Sequence, residues 1–195
     1  MRVHRVPFST NVERIALAAA YKGLAVEWVD HDARDRSAIR ALSGQDLVPV
    51  AELEDGTVLC DSTVILRALE RLVPDPPLWP AAPADHAVAG VFVEWFNGVW
   101  KGPPNRIAAG AAAPGDGEWL RASRDTFERL LDGREHLLGA FGIADVVAFP
   151  FLKYGRGVEP GDGDPFHAVL AEHLVLDGHP RLAAWVERCD RRPRA

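Results

Sequence analysis

Val48-Pro49-Val50-Ala51-Glu52-Leu53-Glu54-Asp55-Gly56-Thr57-Val58-Leu59, followed after Cys60 by Asp61-Ser62, decides the fold class of this chain. Val48 to Leu53 reads as a strand with a proline near its start. Glu54-Asp55-Gly56 supplies the turn, and Thr57 to Leu59 the returning strand, so the pair is a hairpin. Asp61-Ser62 then opens a helix with Val64, Ile65, Ala68, Leu69 and Leu72 on its apolar face. Upstream, residues 1–6 are β-like. Residues 11–22 place Val12, Ile15, Ala16, Ala19 and Ala20 at helical spacing and stop at Gly23. Residues 24–29 return to strand character, and residues 38–42 allow at most a short helix. The order β-α-β-(α)-β-β-α over residues 1–75 predicts a mixed four-stranded sheet, since an early βαβ unit is parallel and the hairpin is antiparallel.

Pro74-Asp75-Pro76-Pro77-Leu78-Trp79-Pro80 holds four prolines in seven residues, which stops the helix and favours a stiff extended linker. Beyond it, residues 85–100, 118–138, 143–154, 165–174 and 180–189 carry apolar residues at helical spacing, without a convincing strand. The expected organisation is an α/β domain over residues 1–75, a proline-rich linker over 76–82 and an all-α domain over 83–195.

Composition narrows the function. Lys and Arg total 22 against 28 Asp and Glu, for a net charge of −6. That mildly acidic balance argues against nucleic acid, which needs a basic footprint. The basic tail Arg188, Arg191, Arg192 and Arg194 reads as solvated. No stretch approaches the roughly 20 apolar residues of a membrane span, and the first residues carry no signal-peptide run. The two cysteines, Cys60 and Cys189, form no C-x-x-C pair, and the seven histidines have no metal-ligand spacing. A cytoplasmic protein without a metal is the expectation.

Three short stretches carry candidate chemistry. In Phe8-Ser9-Thr10-Asn11-Val12-Glu13-Arg14, Ser9 is a good helix N-cap. Thr10 with Glu13 also fits a capping box, which would leave the Ser9 hydroxyl outside the helix and able to donate to an anion favoured by the helix dipole, such as a thiolate. At Val48-Pro49 the proline marks either an edge strand or a cis peptide beside which an extended ligand backbone pairs with Val48. Asp61-Ser62 is either a simple cap or a site where Ser62 and the helix amides hold a carboxylate while Asp61 faces an ammonium group.

A thiol, an extended peptide backbone and a free α-amino acid end are all present in glutathione. The order and spacing of these pieces resemble the glutathione transferase superfamily, with its thioredoxin-like N-terminal domain and all-α C-terminal domain. Ser9-Thr10-Asn11-Val12-x-Arg14 resembles the serine-type motif of the plant phi class and related bacterial members. Val48-Pro49 and Asp61-Ser62-Thr63 resemble the family's cis-proline and γ-glutamyl-binding motifs, and Leu78-Trp79-Pro80 its linker. The resemblance implies that Ser9 hydrogen-bonds the glutathione sulfur, assisted by Asn11. It implies that Val48 beside cis-Pro49 pairs with the cysteinyl unit and that Asp61 and Ser62 hold the γ-glutamyl end. Glutathione would be a co-substrate, its partner a small hydrophobic electrophile set against the helix of Trp95, Phe96 and Trp100, and the assembly a homodimer. Those aromatics read equally as plain core, Trp95 most of all.

The chain departs from the family pattern in three places. Val6 stands where some classes keep Ser or Cys ahead of Pro-Phe. Asp46-Leu47 separate Gly44-Gln45 from Val48-Pro49. Gly142 replaces the hydroxyl residue of the Ser/Thr-x-x-Asp box, whose Asp145 reads as structural. Three activities share these residues: transfer of glutathione, glutathione-dependent isomerase or lyase chemistry, and binding without catalysis.

Overall fold

The computed structural model describes all 195 residues, which divide into two compact units, Met1–Leu78 together with Pro193–Ala195, and Trp79–Arg192.

In the first unit, strand β1 (Arg2–Arg5) lies at the centre of a sheet ordered β2-β1-β3-β4. It pairs in parallel with β2 (Glu27–Asp30), with Val3 opposite Trp28, and antiparallel with β3 (Val50–Glu52), with Val3 opposite Ala51. β3 turns back into β4 (Val58–Cys60), with Ala51 opposite Leu59. The mixed four-stranded sheet is thus the one expected. Helix α1 (Thr10–Tyr21) makes the crossover between β1 and β2, α2 (Ser37–Ser43) links β2 to β3, and α3 (Ser62–Leu72) closes the unit against α1. Val3, Ile15, Leu17, Ala18, Val50, Ala51, Ile65, Leu66 and Leu69 form its core, each at most 1% exposed.

Several local expectations shift. β2 begins at Glu27, later than expected, because Gly23 takes φ +65° and the chain folds back on the end of α1. The Leu24 N–H reaches Ala19 O at 2.9 Å, and the Gly23 N–H reaches Ala20 O. On α3, Leu66 faces the core while Val64 and Leu72 are exposed. The end of the chain is not simply solvated. Arg194 pairs with Glu13 at 2.9 Å, the Ala195 N–H donates to Ala16 O, and Trp28 Nε1 donates to Ala195 O. The buried Lys22 ammonium joins the C-terminal ends of α1 and α3, bonding Val73 O at 2.6 Å, Pro76 O at 2.9 Å and Glu70 Oε2 at 2.6 Å.

The second unit is helical: α4 (Pro83–Trp95), α5 (Gly102–Ala108), α6 (Asp116–Leu130), α7 (Ile143–Leu152), α8 (Pro165–His173) and α9 (Pro180–Asp190). α4 widens into a π turn over Phe96–Trp100. That turn stacks the buried rings of Phe96 and Trp100 with centroids 4.4 Å apart, and Trp100 Nε1 donates to Ser123 Oγ. Both rings are fully buried, which selects the core reading for them, while Trp95, which reads most as core, keeps partial exposure. α6 stops at Leu130, short of the expected end near residue 138, and Gly133 at φ +67° lies in the turns that follow. α7 is buried at every position. Asp145 fixes its start, as expected: Oδ2 accepts from the Gly142 N–H at 3.0 Å, and Oδ1 from the Leu137 N–H and Trp185 Nε1. No helix is long and apolar enough to cross a membrane.

Candidate functional site

The candidate residues gather at the N-terminal ends of α1 and α3 and at the start of β3. All belong to the first unit.

α1 begins differently from the capping-box expectation. Phe8 takes a left-handed backbone at φ +62°, which delivers Ser9 as the N-cap at φ −60°, ψ 115°. Ser9 Oγ accepts from the Val12 N–H at 3.4 Å. Thr10 is the first helical residue and is buried, and the Glu13 carboxylate is engaged by Arg194. Ser9 is therefore the cap, and its hydroxyl does not lie outside the helix. A hydroxyl that accepts an N–H still keeps its own proton to donate, so capping and donation to an anion are compatible. Asn11 lies half-buried in the same first turn.

The Val48-Pro49 peptide is cis, and β3 is an interior strand. The edge-strand reading of Pro49 is thereby replaced. Pro49 sits one residue ahead of the ladder, whose pairing starts at Val50, so the sheet asks no N–H of it. Val48 also stands outside the strand and is half-buried. The two extra residues before it have a structural use: the Gln45 side-chain amide closes on Leu47, Nε2 to Leu47 O and Leu47 N–H to Oε1, both 2.9 Å. Arg40 pairs with Asp46 at 2.6 Å.

At α3, Asp61 is the N-cap at φ +70°, with Oδ1 accepting from Thr63 N at 2.7 Å and Val64 N at 3.4 Å. Capping uses one carboxylate oxygen, and the side chain is exposed, so it can still face an ammonium group. Ser62 is 4% exposed and its Oγ accepts from Arg14 Nη1 at 3.1 Å. Arg14 is 1% exposed. Burial pulls its pKa down to about 9, partly countered by the nearby Asp61 carboxylate, and the guanidinium stays charged at neutral pH. A buried cation thus sits behind a helix N-terminus that already favours negative charge, with the Ser62 proton left to donate outward. That combination suits a carboxylate.

Sequence reading quoted Arg14 only as part of a motif and missed its pairing with Ser62. The signal available was a lone Arg on the apolar face of α1, between Val12 and Ile15, where a charge needs a partner.

Comparison with known proteins places the chain by family and by fold. Residues 3–77 match the family described as glutathione S-transferase, N-terminal domain. A probable glutathione S-transferase of Oryza sativa subsp. japonica is 30% identical over 203 residues, covering 92% of this chain and 80% of that protein. Among solved structures, a class Gtt2 glutathione S-transferase of Vibrio parahaemolyticus superposes with a TM-score of 0.80 at 18% identity, covering 98% of this chain and 94% of the other. A maleylacetoacetate isomerase from Anaeromyxobacter dehalogenans 2CP-1 gives 0.69 at 23% identity, covering 97% and 85%. The two structures share the fold, and the Oryza relative, 30% identical over 92% of this chain, supplies the closing step: the chain belongs to the glutathione S-transferase family.

Proposed function

We propose that this chain is a serine-type glutathione transferase, in which the first unit binds glutathione and holds its sulfur as thiolate for attack on a small hydrophobic electrophile. The observation that carries the reading is the Arg14–Ser62 hydrogen bond, which supplies a carboxylate site at the N-terminus of α3. The γ-glutamyl carboxylate is held by Ser62 and the first amides of α3, and its ammonium group by Asp61. The cysteinyl backbone lies along Val48, beside Pro49. The Ser9 hydroxyl donates to sulfur, with Asn11 alongside. The thiol proton passes to solvent, sulfur forms the new bond, and the electrophile's leaving group departs with its electron pair. Neither cysteine is in a disulfide, which suits the reducing environment of the cytoplasm, and the homodimer that the family resemblance implies completes the proposal.

The test is thermal stabilisation by glutathione beside other cellular thiols, followed by product analysis with an aryl halide. A rise in Tm specific to glutathione together with a thioether product is the expected result. Stabilisation without net consumption of glutathione assigns the chain to isomerase or lyase chemistry, and stabilisation without turnover of any substrate to binding alone. Absence of stabilisation overturns the glutathione reading.

A further inference from the structure

Residues Pro193–Ala195 belong to the first unit and lie against α1. The Ala195 N–H donates to Ala16 O at 3.1 Å, and Trp28 Nε1 donates to Ala195 O at 2.9 Å, so the backbone is seated on α1 and β2 together. From that seat the Arg194 guanidinium closes on the Glu13 carboxylate, with Nε and Nη2 reaching Oε1 at 3.3 and 2.9 Å. The two side chains are 26% and 15% exposed, so water screens the pair only in part.

Glu13 is the acidic residue in the first turn of α1. Its N–H donates to Ser9 O at 3.0 Å, which sets it one helical turn, about 6 Å of rise, beneath the cap. The helix dipole favours negative charge at this end, whether it comes from a side chain or from a ligand. Two negative charges there repel one another, and a thiolate near an uncompensated carboxylate takes back its proton more readily. Glu13 would therefore work against the sulfur chemistry of Ser9 unless a cation matched it. Arg14, the neighbouring cation, is committed to Ser62 in the core.

We propose that Arg194, acting through Glu13, is a positioning residue for the glutathione thiolate: it compensates the first-turn carboxylate and leaves the positive end of α1 to the ligand. This inference rests on the glutathione reading above. A sulfur held at Ser9 lies about 8–10 Å from the Glu13 carboxylate. Over that distance, partly screened repulsion moves a thiol titration by about 0.5–1 pH unit. The charges of Arg14 and Asp61, at the starts of the same two helices, stay constant when only Arg194 and Glu13 are changed, so they cancel from the comparison.

The test follows the ultraviolet absorbance of the bound glutathione thiolate against pH, beside the pH profile of kcat/KM with an aryl halide. Arg194→Met is expected to raise the apparent pKa of the bound thiol by about 0.5–1, lowering kcat/KM about 3–10-fold at pH values below it. Glu13→Gln is expected to lower that pKa. Arg194→Lys, and the double variant Arg194→Met with Glu13→Gln, are expected to titrate near wild type. Loss of packing alone does not give shifts of opposite sign. Glu13→Gln keeps both backbone anchors of Ala195, so it decides even where Arg194→Met frees the segment. A Glu13→Gln complex that titrates as wild type or higher overturns the inference and leaves the glutathione reading intact. A wild type that binds no glutathione overturns that reading, and this inference with it.

Discussion

Arg14 on α1 and Ser62 on α3 are joined by a 3.1 Å hydrogen bond between two buried side chains, 48 residues apart in sequence. The bond ties together the two helices whose N-termini carry Ser9 and Asp61. Arg14→Met removes a charge-assisted bond worth about 1.5–3 kcal/mol, so glutathione affinity is expected to fall by about 10–100-fold. Calorimetric titration measures it. Unchanged affinity would remove Arg14 from the carboxylate site.

Ser9→Ala deletes both the cap and the proposed sulfur donor. The cap contributes about 1 kcal/mol, a modest loss given the long 3.4 Å contact to Val12. The pH–rate profile separates the two roles. The apparent pKa of bound glutathione is expected to rise and conjugation near neutral pH to drop severalfold or more, with partial recovery at alkaline pH. A profile identical to wild type would leave Ser9 as a cap only.

Lys22→Met tests the clasp at the other end of the same helices. The ammonium is fully enclosed and serves Glu70 and two carbonyls. Its loss takes the ammonium from both carbonyls and leaves Glu70 with the Leu78 N–H, at a cost of about 2–3 kcal/mol. Denaturant melts should show that loss with the m-value unchanged.

Acid is expected to loosen the start of α6. The Asp116 carboxyl is held below its usual range, first by the Arg106 side chain and then by the Ala113 N–H. A carboxyl with a lowered folded pKa stabilises the protein above its unfolded pKa of about 3.9 and loses that contribution as pH falls through the folded value. Wild-type stability should therefore decline toward that of Asp116→Asn as pH drops from neutral to below about 3.9. Parallel urea melts of the two proteins across that range check the convergence, and a constant gap would contradict it.

Local chemistry made much of the first unit readable. Asp55-Gly56 marks the hairpin, and proline before a strand marks the Val48-Pro49 corner, because each acts on its own backbone. Register and pairing across the chain were not readable. Thr10 and Glu13 satisfy a capping pattern, yet Phe8 adopts a backbone that shifts the cap to Ser9, and Glu13 goes to Arg194 from the far end of the chain. Which members of the aromatic triplet are core was not readable, because the π turn after Trp95 changes the helical period, which a regular 3.6-residue reading does not anticipate. Arg14 and Ser62 carry no pair signal, because tertiary packing alone brings them together.

Phe8 and Asp61 are the two non-glycine residues with positive φ, and each stands at the N-terminal end of a site helix. A left-handed backbone at a side chain of that kind costs about 1–2 kcal/mol, and the fold bears that cost before any ligand arrives. The consequence is preorganisation. The hydroxyls of Ser9 and Ser62 are already aimed, so binding has little ordering left to do and retains more of its contact energy as affinity. Free and ligand-bound forms should then superpose closely at these two helix ends.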